Sequence, residues 1–209
     1  MIAASPLRCF HPSNLLTYGS LFASVAAIAA AAQNNRGAAG ALVAAAVILD
    51  TFDGRFARRF QRSMPERALG GQLDSLVDAV AFGLAPAMCV VALRWTRDST
   101  GLSSVELFWW TSVFAFVACA VSRLAFYNVT HEQVDGFIGL PAPVAALIWA
   151  TALLLNPGLA PSAAVFALSA AAMVLPFPIP RPGGLAFAAF VCWPVVVIAA
   201  HVVVSGISA

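Results

Sequence analysis

The chain has 209 residues, of which 61% are hydrophobic and 10% charged, and its mean hydropathy is +0.89. That leaves too little polar surface to coat a soluble globule, so a soluble enzyme and a disordered chain are both excluded and an all-α polytopic membrane protein remains. The net charge is only +2, all eleven basic residues are arginines, and no basic run is dense enough for a nucleic-acid partner.

In chain order, the apolar runs predict transmembrane helices at 15–33, 38–57, 73–93, 105–127, 141–156, 160–176 and 184–206, with the fifth and sixth short for a span of about 20 residues. The expected fold is a single domain over 1–209: a bundle of six to seven membrane helices with a polar active-site cavity facing the cytoplasm. The first run is long enough to span and has no clear cleavage site after it, so it reads as a helix and not a leader. Breakers separate the runs: Gln33-Asn34-Asn35, the polar stretch Arg58–Gly71, Thr96–Gly101, His131–Gly139, Asn156-Pro157-Gly158 and the proline run Pro176–Pro182. Pro194 falls inside the last run, where it kinks a helix. Cys9, Cys89, Cys119 and Cys192 have no metal-type spacing and read as small apolar fillers.

With the N-terminus inside, Arg8, Arg55, Arg58, Arg59, Arg62, Arg67, Arg123 and Arg181 lie on the cytoplasmic side, against Arg36, Arg94 and Arg97 outside. That bias fits the positive-inside rule. Trp95, Trp109 and Trp110 then read as an aromatic belt at the outer face, and His201 as interfacial. His11 and His131 read as solvated loop residues.

Four of the nine acidic residues, Asp50, Asp53, Asp74 and Asp78, fall in or beside the second and third spans. Carboxylates at membrane depth are costly and mark function. Spacings of i,i+3 and i,i+4 put each pair on one helix face. One loop joins the two helices, so they run antiparallel and the four carboxylates converge. Like charges that close repel, and a divalent cation or two is the natural partner; oxygen-only ligands favour Mg²⁺, Mn²⁺ or Ca²⁺. Gly54 removes a side chain where a ligand approaches the backbone, Ala57 keeps the neighbourhood small, Arg58 is placed to hold a phosphate, and Gly70-Gly71 opens the third helix. Metals, arginines and a bare backbone suit a diphosphate and displacement at phosphorus.

Asp50-Thr51-Phe52-Asp53-Gly54-Arg55-Phe56-Ala57-Arg58, followed by Gly70-Gly71-Gln72-Leu73-Asp74-Ser75-Leu76-Val77-Asp78, resembles the CDP-alcohol phosphotransferase signature D-x-x-D-G-x-x-A-R … G-x-x-x-D-x-x-x-D. The stretch between Arg58 and Gly70 is longer than the family's usual gap, in a polar segment that tolerates insertion. The resemblance covers roughly 11–145. Pro12-Ser13-Asn14-Leu15-Leu16-Thr17 is similar to the family's opening of the first helix. Leu73–Ala87, Gly139–Ala146 and Arg123-Leu124-Ala125-Phe126-Tyr127-Asn128 are most similar to the phosphatidylserine synthase branch, with Phe126 where an arginine is usual.

The resemblance implies transfer of a phosphatidyl group from CDP-diacylglycerol, or a CDP-linked archaeal lipid, to a small alcohol such as serine, releasing CMP. It implies Asp50, Asp53 and Asp74 as metal ligands, Asp78 as general base also touching a metal, and Gly54, Ala57, Arg58 and Gly70 at the CDP site. Arg123 and Asn128, at the end of the fourth span on the side of the aspartates, are the acceptor-binding candidates. A homodimer and a location in the inner cell membrane are further implications. Choline or glycerol phosphate as acceptor is the nearest alternative. A divalent-cation transporter is a different class, opposed by the clustering of all four carboxylates at one membrane face.

Overall fold

The structure is a computed structural model that describes residues 10–95, 103–130, 136–180 and 183–207. Arg8, Cys9, Arg97, His131, Arg181 and Pro182, all assigned roles from the sequence, lie outside the described residues, as does the side chain of Trp95.

A short 3₁₀ turn, Pro12–Asn14, is capped by His11, whose Nδ1 accepts from the Ser13 amide at 3.2 Å, and it runs directly into α1, Leu15–Ala32. A tight turn with Asn34 at φ 58° follows. Asn35 then caps α2, Arg36–Ala57, its side chain accepting from the Ala38 amide at 3.0 Å. After α2 come α3, Met64–Asp78, a wide π turn at Ala79–Leu84, and α4, Ala85–Trp95. The remaining helices are α5, Ser104–Thr130; α6, Ala142–Leu155; α7, Leu159–Val174; and α8, Gly184–Ile207. A two-residue strand β1, Phe137–Ile138, pairs antiparallel with β2, Pro178–Ile179.

These segments make an all-α integral membrane protein of seven rods among the described residues, one of them the joined α3–π–α4. Five rods are long and apolar enough to cross a membrane. The 14 and 16 residues of α6 and α7 reach only about 21 and 24 Å, short of a hydrocarbon core of roughly 30 Å.

The third rod departs from expectation. It starts at Met64, inside the stretch read as a polar loop, because Ser63 and Glu66 form a capping box (Ser63 amide to Glu66 Oε2, 2.9 Å) and Pro65 stands in the first turn. Polar residues here extend a helix beyond the apolar layer. The π turn was not visible in the sequence either. Pro86 has no amide to give the carbonyl one α-turn back, and the chain widens just before it, with the Ala85 amide bonding the Val80 carbonyl instead.

Small residues set the packing. Ala27, Ala31, Ala39 and Ala44 are fully buried, so the backbones of α1 and α2 approach closely. On α2, a Cβ at Gly40 would overlap the His201 ring of α8. His201 is therefore not interfacial as expected: it is 2% exposed and lies 2.8 Å from the Ala150 carbonyl of α6. Trp109 also differs from its belt assignment. It is 2% exposed and donates from Nε1 to Ser162 Oγ of α7 at 2.9 Å, whereas Trp110 is exposed. A buried indole with a partner on a neighbouring helix is core, not belt. Trp149, Phe116 and Phe166 fill the remaining space between α5, α6 and α7, the rings of Trp149 and Phe166 being 3.9 Å apart. Cys89 is buried and Cys192 exposed; both are free thiols, as are all the cysteines among the described residues.

Candidate active site

Because α2 ends and the third rod begins on the same side of the bundle, the last turns of α2 face the middle of α3. Ligand oxygens of Asp50, Asp74 and Asp78 lie within 4.8 Å of one another. Asp78 faces Asp50 on one side of the cluster, and Asp74 faces Asp53 on the other. Asp53 also accepts from Thr17 Oγ1 of α1 at 2.9 Å. All four side chains are partly buried.

Four carboxylates this close, in apolar surroundings, repel unless something positive joins them. Asp78 Oδ1 is buried with no hydrogen-bond partner. A buried orphan oxygen beside three more carboxylates, with only oxygen donors in reach, fits a hard divalent cation.

Two cavities meet at this cluster. The smaller, about 190 Å³, is walled by α1, the end of α2 and the start of α3, and takes in Asp53 and Asp74 together with Gly54, Ala57, Gly70 and the guanidinium-bearing Arg62 and Arg67. The larger, about 620 Å³, takes in Asp50 and Asp78 on its opposite side. Its walls come from α5, β1, the start of α6, β2 and the start of α8, and are mostly apolar: Phe137, Leu140, Val144, Ile179 and Phe190 among them. Among the described residues, Arg123 is the one basic side chain lining it. That arginine is 7% exposed, has a buried Nε without a partner, and sits 6.0 Å from the Phe137 ring centre. Tyr127 stacks on Phe137 at 5.6 Å, so β1 is pinned over the cavity by α5.

The remaining sequence candidates fall as follows. Arg58 caps the end of α2, is exposed, and lines neither cavity; its Nη1 lies 3.9 Å from where a Cβ on Gly54 would be. Asn128 also lies outside both linings. It donates from Nδ2 to Ser75 Oγ at 2.9 Å, tying α5 to α3. Phe126 is half exposed and lies outside the larger cavity's lining. Pro180 of the proline run does line that cavity.

Sequence reasoning missed Ser13, Asn14, Thr17, Arg62 and Arg67 as cavity residues. Arg67, Gly70, Gly71 and Asp74 stand at i, i+3, i+4 and i+7, one helix face, and this spacing reveals Arg67 once α3 is started at its capping box. Arg62 reaches back over Gly70, its Nη1 3.3 Å from a Cβ built there.

The sequence pattern of the CDP-alcohol phosphatidyltransferase family matches residues 10–179. CDP-diacylglycerol–serine O-phosphatidyltransferase of Mycobacterium tuberculosis is 36% identical over 141 residues, 63% of this chain and 45% of that protein. The enzyme of the same name from Helicobacter pylori is 33% identical over 157 residues, 73% of this chain and 60% of its own length. That of Methanocaldococcus jannaschii is 34% identical over 107 residues, 51% of this chain and 46% of its own. The chain thus spans about half the length of the mycobacterial relative it matches.

Proposed function

We propose, because the chain belongs to the CDP-alcohol phosphatidyltransferase family, that it transfers a phosphatidyl group from a CDP-linked lipid to the hydroxyl of a small alcohol and releases CMP. The reading takes 1–209 as one such domain. Serine is the proposed acceptor, in keeping with the names of the relatives at 33–36% identity. The observation that carries the reading is the division of the four carboxylates: Asp53 and Asp74 on the small polar cavity, Asp50 and Asp78 on the large one. A reaction that joins two substrates at one phosphorus needs such a shared wall.

On the small side, Arg62 and Arg67 carry the positive charge that a diphosphate requires, and Gly54, Ala57 and Gly70 leave backbone accessible to it. Arg58, next to Gly54, would add charge at the rim. Asp50, Asp53, Asp74 and Asp78 would hold the divalent cation, Mg²⁺ or Mn²⁺, two ions at full occupancy. When bound, it supplies neutralisation of the charge that builds on the departing CMP phosphate. Thr17 holds Asp53 in its orientation.

On the large side, Arg123 would hold the acceptor's carboxylate and bring its hydroxyl to Asp78. Asp78 takes the hydroxyl proton as the acceptor oxygen bonds to the phosphatidyl phosphorus, and the bond from that phosphorus to CMP breaks. Asn128 would act on the acceptor at one remove, by holding α3 and α5 in register through Ser75. The site would face the cytoplasm from the inner cell membrane, in a homodimer.

The test is incubation of the purified protein in detergent with CDP-diacylglycerol, Mn²⁺ or Mg²⁺, and radiolabelled serine, choline or glycerol phosphate. Serine-dependent CMP release with labelled phosphatidylserine supports the reading. CMP release with another labelled lipid changes the acceptor, and no CMP release with any alcohol refutes the reaction.

A further inference from the structure

At the end of the bundle opposite the aspartates lies a third cavity, of about 390 Å³, that the proposed reaction does not use. We infer that it is a binding site for the phosphate of an anionic membrane phospholipid.

Arg36, the first residue of α2, and Arg94, in the last turn of α4, both line it. Arginine is disfavoured at this end on the positive-inside pattern, yet two of the three there converge on one cavity. The rim is completed by the α6–α7 turn, Asn156-Pro157-Gly158, in which Asn156 is left-handed (φ 49°, ψ 58°) and Gly158 caps the start of α7. The amide-rich starts of α2 and α7 therefore flank the same space, adding positive potential to the two guanidinium groups.

Arg94 is held in place. Its guanidinium carbon lies 4.9 Å from the Trp109 ring centre, and that buried indole is fixed by its bond to Ser162 of α7. An arginine stacked on a clamped ring keeps its planar edge for a bidentate partner at little entropic cost. Glu106, the acidic residue at this end among the described residues, accepts from the Ser103 amide at 3.0 Å and is engaged in capping α5.

Below the charged rim the floor is apolar: Val90, Leu93 and Leu153, each under a tenth exposed. A free phosphate has no use for such a floor. A phosphodiester with chains attached does, and in a membrane protein the end of the bundle is where headgroups stand. The shared chemistry is a phosphate group, and the apolar floor decides for the lipid.

The test titrates phosphatidylglycerol into the protein held in phosphatidylcholine nanodiscs and reads the unfolding temperature. Parallel arms add inorganic phosphate or more phosphatidylcholine. The expected result is a saturable rise with phosphatidylglycerol alone. In Arg94→Gln the half-saturating concentration rises about tenfold, as losing one charge-assisted hydrogen bond requires. In Arg59→Gln, an exposed arginine at the far end that lines none of the three cavities, it is unchanged. Equal half-saturation in wild type and Arg94→Gln overturns the proposal, as does an equal effect of inorganic phosphate or of phosphatidylcholine. Arg36→Gln/Arg94→Gln is expected to abolish saturation; should it not fold, Arg94→Gln decides alone.

Discussion

The two cavities that share the aspartates are built in different ways. The small one is assembled from residues close in sequence: the end of α2, the start of α3 and the first turn of α1. The large one draws on α2, α3, α5, β1, α6, β2 and α8, elements spread over more than half the chain. A local motif can therefore specify the first, while the second depends on how the whole bundle closes. The side chains divide the same way: charge and bare backbone, proposed for a nucleotide diphosphate, on one side, and buried Arg123 among apolar walls on the other.

The largest effect is expected where the two sides join. Asp53 sits in the small cavity beside Asp74 and is held by Thr17. Asp53→Asn is expected to abolish turnover and weaken divalent-cation binding while leaving the protein in the membrane, and excess chelator is expected to abolish turnover of the wild type. Full activity in chelator would sink the metal assignment for both cavities at once.

Next comes Asp78, on the large-cavity side of the shared wall. Asp78→Asn is expected to lower kcat by about 10²–10⁴, the usual share of general-base catalysis, with the CMP dissociation constant preserved. A fall of less than tenfold places the base elsewhere. Collapse of nucleotide binding makes Asp78 chiefly a ligand and removes the asymmetry between the two sides.

The same contrast governs what could be read from the sequence. The convergence of Asp50, Asp53, Asp74 and Asp78 was legible because i,i+3 and i,i+4 spacing on two helices joined by one loop leaves little freedom. The seven rods were legible from apolar run length, with most ends displaced by a few residues; the third starts nine residues earlier than its apolar run, where the Ser63–Glu66 cap overrides hydropathy. The β1–β2 pair and the burial of Trp109 and His201 were not, because each depends on a partner distant in sequence: Ile179 for Phe137, Ser162 for Trp109, Ala150 for His201. The π turn has a local cause, Pro86, whose effect on the preceding turn the apolar run hid. Arg123 could be named from its helix, but its enclosure beneath Phe137 could not.

Arg123 sharpens the comparison from the apolar side. Its loss should act on one substrate only: Arg123→Ala is expected to raise the acceptor KM roughly 10- to 150-fold, since a hydrogen bond to a charged group contributes about 1.5–3 kcal/mol, with little change for the CDP-lipid. Equal effects on both substrates put Arg123 with the nucleotide or with folding. Thr17→Val makes the matching test from the polar side. It removes the hydroxyl that orients Asp53 and is expected to weaken cation affinity about tenfold, the lower end for a supporting partner of a ligand. Unchanged affinity for Mn²⁺ would leave Thr17 a packing residue.

The smallest expected effect separates touching the acceptor from holding the helices that do. Asn128 and Ser75 bond each other at 2.9 and 3.1 Å, exposed, between α5 and α3. If that bond only keeps the two helices in register, Ser75→Ala and Asn128→Ala should behave alike. Each should lose about 1 kcal/mol of stability, the ordinary value of a neutral hydrogen bond, and shift acceptor KM less than about threefold. The double variant should lose no more than either single one, because removing one partner already removes the bond. Thermal unfolding of the four proteins, beside their acceptor KM values, makes the measurement. An acceptor KM raised tenfold or more in Asn128→Ala but not in Ser75→Ala would mean that Asn128 reaches the acceptor itself, and that the large cavity extends along α5 past Tyr127.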